Sequence, residues 1–153
     1  MKKLLLVAHA PSPNTQKMAE QIIAGGNKHL LENLEITWIP PLQATAADVL
    51  SCDAIILGTT ENLGYMSGAL KDFFDRIYYP CLEEKQGLPF SYYIRAGHDG
   101  TGTNIAIQSI CKGLKWKQVQ PEIICSGQWH ENFLVECKNL GENIACGLDF
   151  GIY

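Results

Sequence analysis

The sequence predicts an α/β fold, a doubly wound five-stranded parallel sheet with helices on both faces. Two observations point to it. Short continuous apolar runs, such as Leu4 to Ala8 and Ala54 to Leu57, alternate with longer stretches whose apolar residues recur at helical spacing. The chain has 153 residues, the length of one ordinary domain, and a domain near that size buries roughly two-thirds of the surface its unfolded chain exposes. The expectation is a single domain over residues 1–153. An eight-fold βα barrel needs ~200–250 residues, and a separate nicotinamide domain would find no room.

The first element is a strand over 3–8, apolar without alternation, as in a parallel strand covered on both faces. Pro11, Ser12, Pro13 and Asn14 form a turn cluster that ends in a helix-capping residue type. Met18, Ile22, Ile23, Gly26 and Leu30 then predict a helix over 15–31. A second strand is expected over 34–39, closed by Pro40 and Pro41, followed by a short helix over 45–50. A third strand covers 54–58 and a long loop 59–67. Leu70, Phe73, Phe74 and Ile77 mark a third helix that ends near Pro80. The rest reads as a strand over 88–95, a glycine-rich loop over 97–102, a helix over 103–114, a fifth strand over 121–126 and a last helix over 131–147.

Hydrophobic residues make up 46% and charged residues 18%, a globular composition. A net charge of −4 argues against a nucleic-acid partner, which calls for a basic face. The six cysteines show neither Cys-x-x-Cys nor zinc-ligand spacing, and most lie in apolar runs. They read as small buried thiols of a cytoplasmic protein, with no metal site. The apolar run after Lys2 and Lys3 is shorter than the ~7–15 residues of an export signal and the ~18 of a membrane span. It is taken as a strand, with no membrane span.

In such a sheet, ligands sit beyond the carboxyl ends of the strands, at the point where strand order reverses. The loops after the first, third and fourth strands are therefore the candidates. The first carries Ser12, Asn14, Thr15 and Gln16 at a helix start. Free N–H groups and the positive dipole end can hold a phosphate there; plain N-capping by Ser12 or Asn14 is the alternative. The lysine-bearing P-loop pattern is missing, which argues against ATP or GTP hydrolysis. The second loop holds Thr59, Thr60, Glu61, Asn62, Leu63, Gly64, Tyr65 and Met66. It exceeds the usual ~2–6 residues, and its mix of polar and apolar groups suits a flat aromatic ligand; a loop packed on the sheet is the alternative. The third holds Gly97, His98, Asp99 and Gly100. Gly100-x-Gly102 faintly matches a dinucleotide fingerprint, but Ile105 stands where the third glycine belongs. Close approach of the backbone to a ligand, with His98 and Asp99 facing it, and a plain surface loop are the other options.

These residues resemble a known family. Asn14 and Thr15, with Ser12 two positions earlier, resemble the phosphate loop of flavodoxin-like proteins. Thr60 and Glu61, then Gly68, Ala69, Leu70, Lys71 and Asp75, resemble the signature of NAD(P)H-dependent FMN reductases, Pro-Glu-Tyr-Asn followed by Gly-x-Leu-Lys. Thr60 replaces its proline, Asn62 its tyrosine and Leu63 its asparagine. Pro13 stands where flavodoxins carry glycine and lacks an N–H. The third loop has no aromatic residue to stack on a flavin.

The resemblance implies a flavodoxin-like fold. It implies FMN with its phosphate on the first loop and its ring between the second and third. It further implies NAD(P)H as electron donor and a small acceptor such as a quinone or free flavin. The flavin would carry the redox chemistry, so no residue is expected to be catalytic. A flavodoxin-type one-electron carrier and a flavodoxin-fold module that has lost FMN are the alternatives. The mild charge, with few acids in the three loops, favours the enzyme, because carriers are steered by acidic surfaces. Relatives often pair so that a neighbour covers the flavin, and Tyr78, Tyr79 and Pro80 are the candidate contact for a homodimer, with local packing as the alternative.

Overall fold

The computed structural model describes all 153 residues. Seven strands and five helices follow one another as β1 (Lys2–Ala8), α1 (Pro13–Gly26), β2 (Leu34–Ile39), α2 (Ala46–Ser51), β3 (Ala54–Asn62), β4 (Tyr65–Met66), α3 (Gly68–Cys81), β5 (Pro89–Ala96), α4 (Thr101–Gly113), β6 (Lys117–Gln118), β7 (Ile123–Ser126) and α5 (Asn132–Asp149). The parallel sheet runs β2-β1-β3-β5, with β6 and β7 both beside β5. Its order reverses between β1 and β3, so the ligand-binding position lies at their carboxyl ends.

Apolar residues of alternate strand positions face opposite ways and build two cores. Leu4, Leu6, Ile56 and Tyr93 pack with Met18 and Ile22 of α1 and Leu140 and Ile144 of α5. Leu5, Val7, Ile55, Leu57 and Tyr92 pack with Leu70, Phe73 and Phe74 of α3 and Ile107 of α4. The helices thus cover both faces, as expected. Helices α1 and α5 touch through glycine: a Cβ on Gly25 would lie 1.9 Å from the Lys138 carbonyl oxygen, and one on Gly141 2.1 Å from that of Ile22.

Three differences from the sequence expectation go beyond a shift of a residue or two. Helix α1 ends at Gly26, not at residue 31: Asn27 is its C-cap, with a ψ of 1°, and Leu30 takes a positive φ of 49° that a helix does not permit. The fifth strand, expected over 121–126, is β7 over Ile123–Ser126, and an unexpected short strand, β6, precedes it. β6 pairs with Pro89 and Phe90, β7 pairs with Tyr93 to Ala96, and the chain between them leaves the ladder. Pro121 has no N–H to give there, and the Ser91 hydroxyl donates to the Gln120 carbonyl instead, at 2.9 Å.

The third difference shapes the site. Residues 59–62 belong to β3 and not to a loop. Thr59 and Thr60 continue the parallel pairing with Ile94 and Arg95. Beyond them Glu61 and Asn62 pair antiparallel with Met66 and Tyr65 of β4. Leu63 (φ 54°) and Gly64 (φ 75°) make the two-residue turn between them, and paired positive φ values mark the hairpin turn that matches strand twist. That turn usually announces itself as Asn-Gly; a leucine in its first position hides it.

Candidate functional site

At the carboxyl edge, α1 starts with a reciprocal cap. The Ser12 Oγ accepts from the Thr15 N–H at 3.2 Å, and the Thr15 Oγ1 accepts from the Ser12 N–H at 2.9 Å. The two hydroxyls also meet at 2.8 Å. Pro13 occupies the first helical position, where a missing N–H costs least and φ is already helical. The Asn14 N–H takes no protein acceptor, and no acidic residue lies in the first turn. A helix start with hydroxyls, a free amide and no carboxylate is a donor set suited to a phosphate. Ser12 does cap, as the plain alternative held, and the same hydroxyls remain near the helix end.

The second and third segments are tied together by Glu61. Its carboxylate accepts from the His98 N–H at 3.0 Å and from the Gly100 N–H at 2.9 Å. Gly100, the residue before α4, has a φ of 71° and no side chain to cap the helix. Glu61, distant in sequence, holds the N–H groups of the loop that leads into the helix. Asp99 accepts from the Thr101 N–H at 3.0 Å, and this bond holds its carboxyl below the usual carboxylate range. Glycine at 102 has a packing reason: a Cβ there would lie 2.2 Å from the Gly64 carbonyl oxygen, so the hairpin turn seats directly on α4. The Gly100-x-Gly102 pattern thus serves a left-handed turn and a close contact and needs no dinucleotide to explain it.

The other second-segment residues divide between inside and outside. Thr59 is buried and its Oγ1 accepts from the Ser67 N–H at 3.0 Å, which closes the hairpin; Met66 is buried beside it. Thr60 donates to the Asn62 side-chain oxygen at 2.9 Å. Leu63 is fully solvent-exposed at the hairpin tip and Tyr65 is partly exposed. Gln16, Gly97 and His98 lie on the surface. At the end of β1, burial pulls the His9 imidazole below its usual pKa. Tyr79, offered as a dimer contact, is 79% exposed, whereas the Tyr78 hydroxyl packs against Gly113 of α4.

Sequence reasoning missed Arg95 and the aromatic residues after β7. Arg95 is the penultimate residue of β5, in register with Thr60. Its guanidinium carbon lies 5.7 Å from the Trp129 ring centre and 5.3 Å from that of Phe133. The fourth-strand loop has no aromatic residue, and this edge takes its rings from the loop and helix that follow β7. No local pattern ties Arg95 to residues so far along the chain; only the β5–β7 pairing does.

The family model for NADPH-dependent FMN reductase matches residues 9–131. The chain belongs to that family. The match spans α1 and all three loop segments of the site. A flavodoxin of Aquifex aeolicus (strain VF5) is 32% identical over 110 residues, covering 72% of this chain and 58% of that protein. The chain thus spans little more than half the length of this curated relative. A solved flavodoxin from the domain Archaea superposes with a TM-score of 0.78 at 22% identity, over 95% of this chain and 98% of that one. The solution structure of two-electron reduced Megasphaera elsdenii flavodoxin gives 0.76 at 20% identity, over 94% and 98%. Those two likenesses show the flavodoxin-like fold. No helix of this family member is long and apolar enough to cross a membrane.

Proposed function

We propose that the protein binds FMN at the carboxyl edge of the sheet and uses it to pass electrons from NAD(P)H to a small acceptor such as a quinone or a free flavin. The observation that carries the FMN assignment is the start of α1, where the Ser12 hydroxyl and the free Asn14 amide lie beside a positive helix end, with the buried Thr15 hydroxyl bonded to Ser12 and holding that turn. It lies within the stretch matched by the FMN reductase family. These residues would hold the phosphate. Thr60, Asn62, Leu63 and Tyr65 on one side and Gly97 to Gly100 on the other would border the ring. When bound, FMN supplies the redox chemistry; the chain binds and orients it. Glu61 fixes the spacing of the two borders through its bonds to His98 and Gly100.

A second reading is a flavodoxin-type electron carrier, favoured by the 32% identity to the Aquifex flavodoxin. One experiment separates the two. Purified protein reconstituted with FMN is mixed anaerobically with NADPH or NADH. Direct bleaching of the flavin absorbance supports the oxidoreductase. Bleaching that requires an added reductase supports the carrier, and failure to retain FMN at all defeats both.

A further inference from the structure

The chain has two arginines, Arg76 and Arg95, and they sit in opposite electrostatic settings. Arg76 pairs with Asp72 at 2.8 Å and donates to the carbonyls of Ala44 and Pro41. Its charge is compensated and its donors are spent on structure. Arg95 has no carboxylate within 4.0 Å. Its Nη1 donates to the carbonyls of Ala96 at 2.9 Å and Cys125 at 3.0 Å. Its Nε and Nη2 donate to no protein group. The rings of Trp129 and Phe133, themselves packed edge to face at 5.5 Å, flank the guanidinium. Cation–π contact and the two carbonyls fix its plane without neutralising it.

The position matters as much as the setting. Arg95 is paired with Thr60 across β3 and β5, so the two side chains leave the same face of the sheet. That face is the one α1 and α5 cover. Since β3 lies between β5 and β1, and neighbouring strands are about 4.8 Å apart, Arg95 stands about 10 Å across the sheet from the strand that feeds α1. A guanidinium with one edge spent on carbonyls and its Nε/Nη2 edge free matches an oxyanion through two parallel N–H bonds. Two acids do lie on its frame, Glu131 accepting from Trp129 Nε1 at 3.2 Å and Glu136 at 4.0 Å from the Cys125 Sγ, but neither pairs with the guanidinium directly. On a chain of net charge −4, a cation held in this way at the carboxyl edge of the sheet, with no carboxylate partner within 4.0 Å, is suited to recognition.

We infer that Arg95, framed by Trp129 and Phe133, is a subsite for a phosphate monoester. This rests on the proposed function, which seats the 5′-phosphate of FMN on α1 and leaves to Arg95 the 2′-phosphate that distinguishes NADPH from NADH. Calorimetric titrations test it. Wild type, Arg95→Gln and Arg95→Lys are titrated with NADP⁺ and NAD⁺, and with FMN and riboflavin, alongside their thermal midpoints. In wild type, NADP⁺ binds at least about tenfold tighter than NAD⁺, the scale of a charge-assisted hydrogen-bonded pair. Arg95→Gln removes that ratio and Arg95→Lys keeps part of it, while the FMN/riboflavin ratio, set at α1, is unchanged. An unchanged NADP⁺/NAD⁺ ratio in a folded Arg95→Gln protein, or loss of the FMN/riboflavin ratio in its place, overturns the inference. A wild type that refuses FMN but shows an Arg95-dependent NADP⁺/NAD⁺ ratio defeats the functional proposal and leaves the subsite standing.

Discussion

Two helices begin at the same edge of the sheet, and they are anchored in different ways. Helix α1 is capped from within, by a hydroxyl exchange between Ser12 and Thr15. Helix α4 has no side-chain cap of that kind; the loop leading into it is held from outside, by the Glu61 carboxylate reaching across from the hairpin. The consequence is a division of labour. The approach to α4 already holds an anion, supplied by the protein itself. The start of α1 holds only neutral hydroxyls and a free Asn14 amide, so it is the end with its field unspent. Under the proposed function, α1 would take the FMN phosphate and α4 would fix one border of the mouth.

The sharpest way to break the α4 half is Gly102→Ala. The new Cβ would meet the Gly64 carbonyl oxygen at 2.2 Å, a backbone atom that cannot swing aside. A loss of about 2–3 kcal/mol, at the upper end for overpacking, is expected in urea denaturation, with the hairpin displaced from α4. An unchanged midpoint would show that the hairpin does not seat there.

Glu61→Ala comes next. It leaves the His98 and Gly100 amides without their acceptor, and about 1–2 kcal/mol should be lost. Amide exchange at those two residues should accelerate while α1 is untouched. Equal protection in the variant would mean that the clamp does not persist in solution.

These two predictions rest on features of unequal legibility in the sequence. Ser12, Pro13 and Thr15 cap α1 through neighbours three residues apart, and that spacing is visible in a linear reading. The alternation of β1, β3 and β5 with helices is visible for the same reason, because apolar runs and 3.6-residue periodicity are local. Glu61 is different. Its partners lie 37 and 39 residues away, and the linear pattern marks it only as a residue of the flavin-loop signature. Thr59, Thr60, Glu61 and Asn62 look like loop because they are polar, yet Thr59 and Thr60 continue the parallel ladder and Glu61 and Asn62 carry β3 past it into the hairpin. The left-handed Leu63 costs about 1–2 kcal/mol for a residue of its kind, and tertiary seating of the hairpin on Gly102 overrides that local preference. Arg95 was hidden because its aromatic partners become neighbours only through the β5–β7 pairing.

The α1 half of the comparison predicts a smaller effect. Ser12→Ala removes one local cap and should cost about 1 kcal/mol, with no change in exchange at His98 or Gly100. Acid should act more gently still. The Glu142 carboxyl is held below the usual range by its bonds to His29 and Lys28, which tie α5 to the end of α1. A lowered folded-state value stabilises above the ordinary carboxylate pKa, and that contribution is lost as pH falls through the lowered value. The thermal midpoint of Glu142→Gln should therefore approach that of wild type as the solution is acidified. A gap that widens in acid would reverse the sign of this account.

The central claim is that the start of α1 is the phosphate seat. Titrating flavin-free protein with FMN and with riboflavin, in wild type and in Thr15→Val, tests it most directly. The account predicts that wild type prefers FMN at least about tenfold, as a helix end with hydroxyl donors should, and that Thr15→Val loses most of that preference while keeping its fold. Equal affinities for FMN and riboflavin in wild type, or a preference untouched by Thr15→Val, would contradict it.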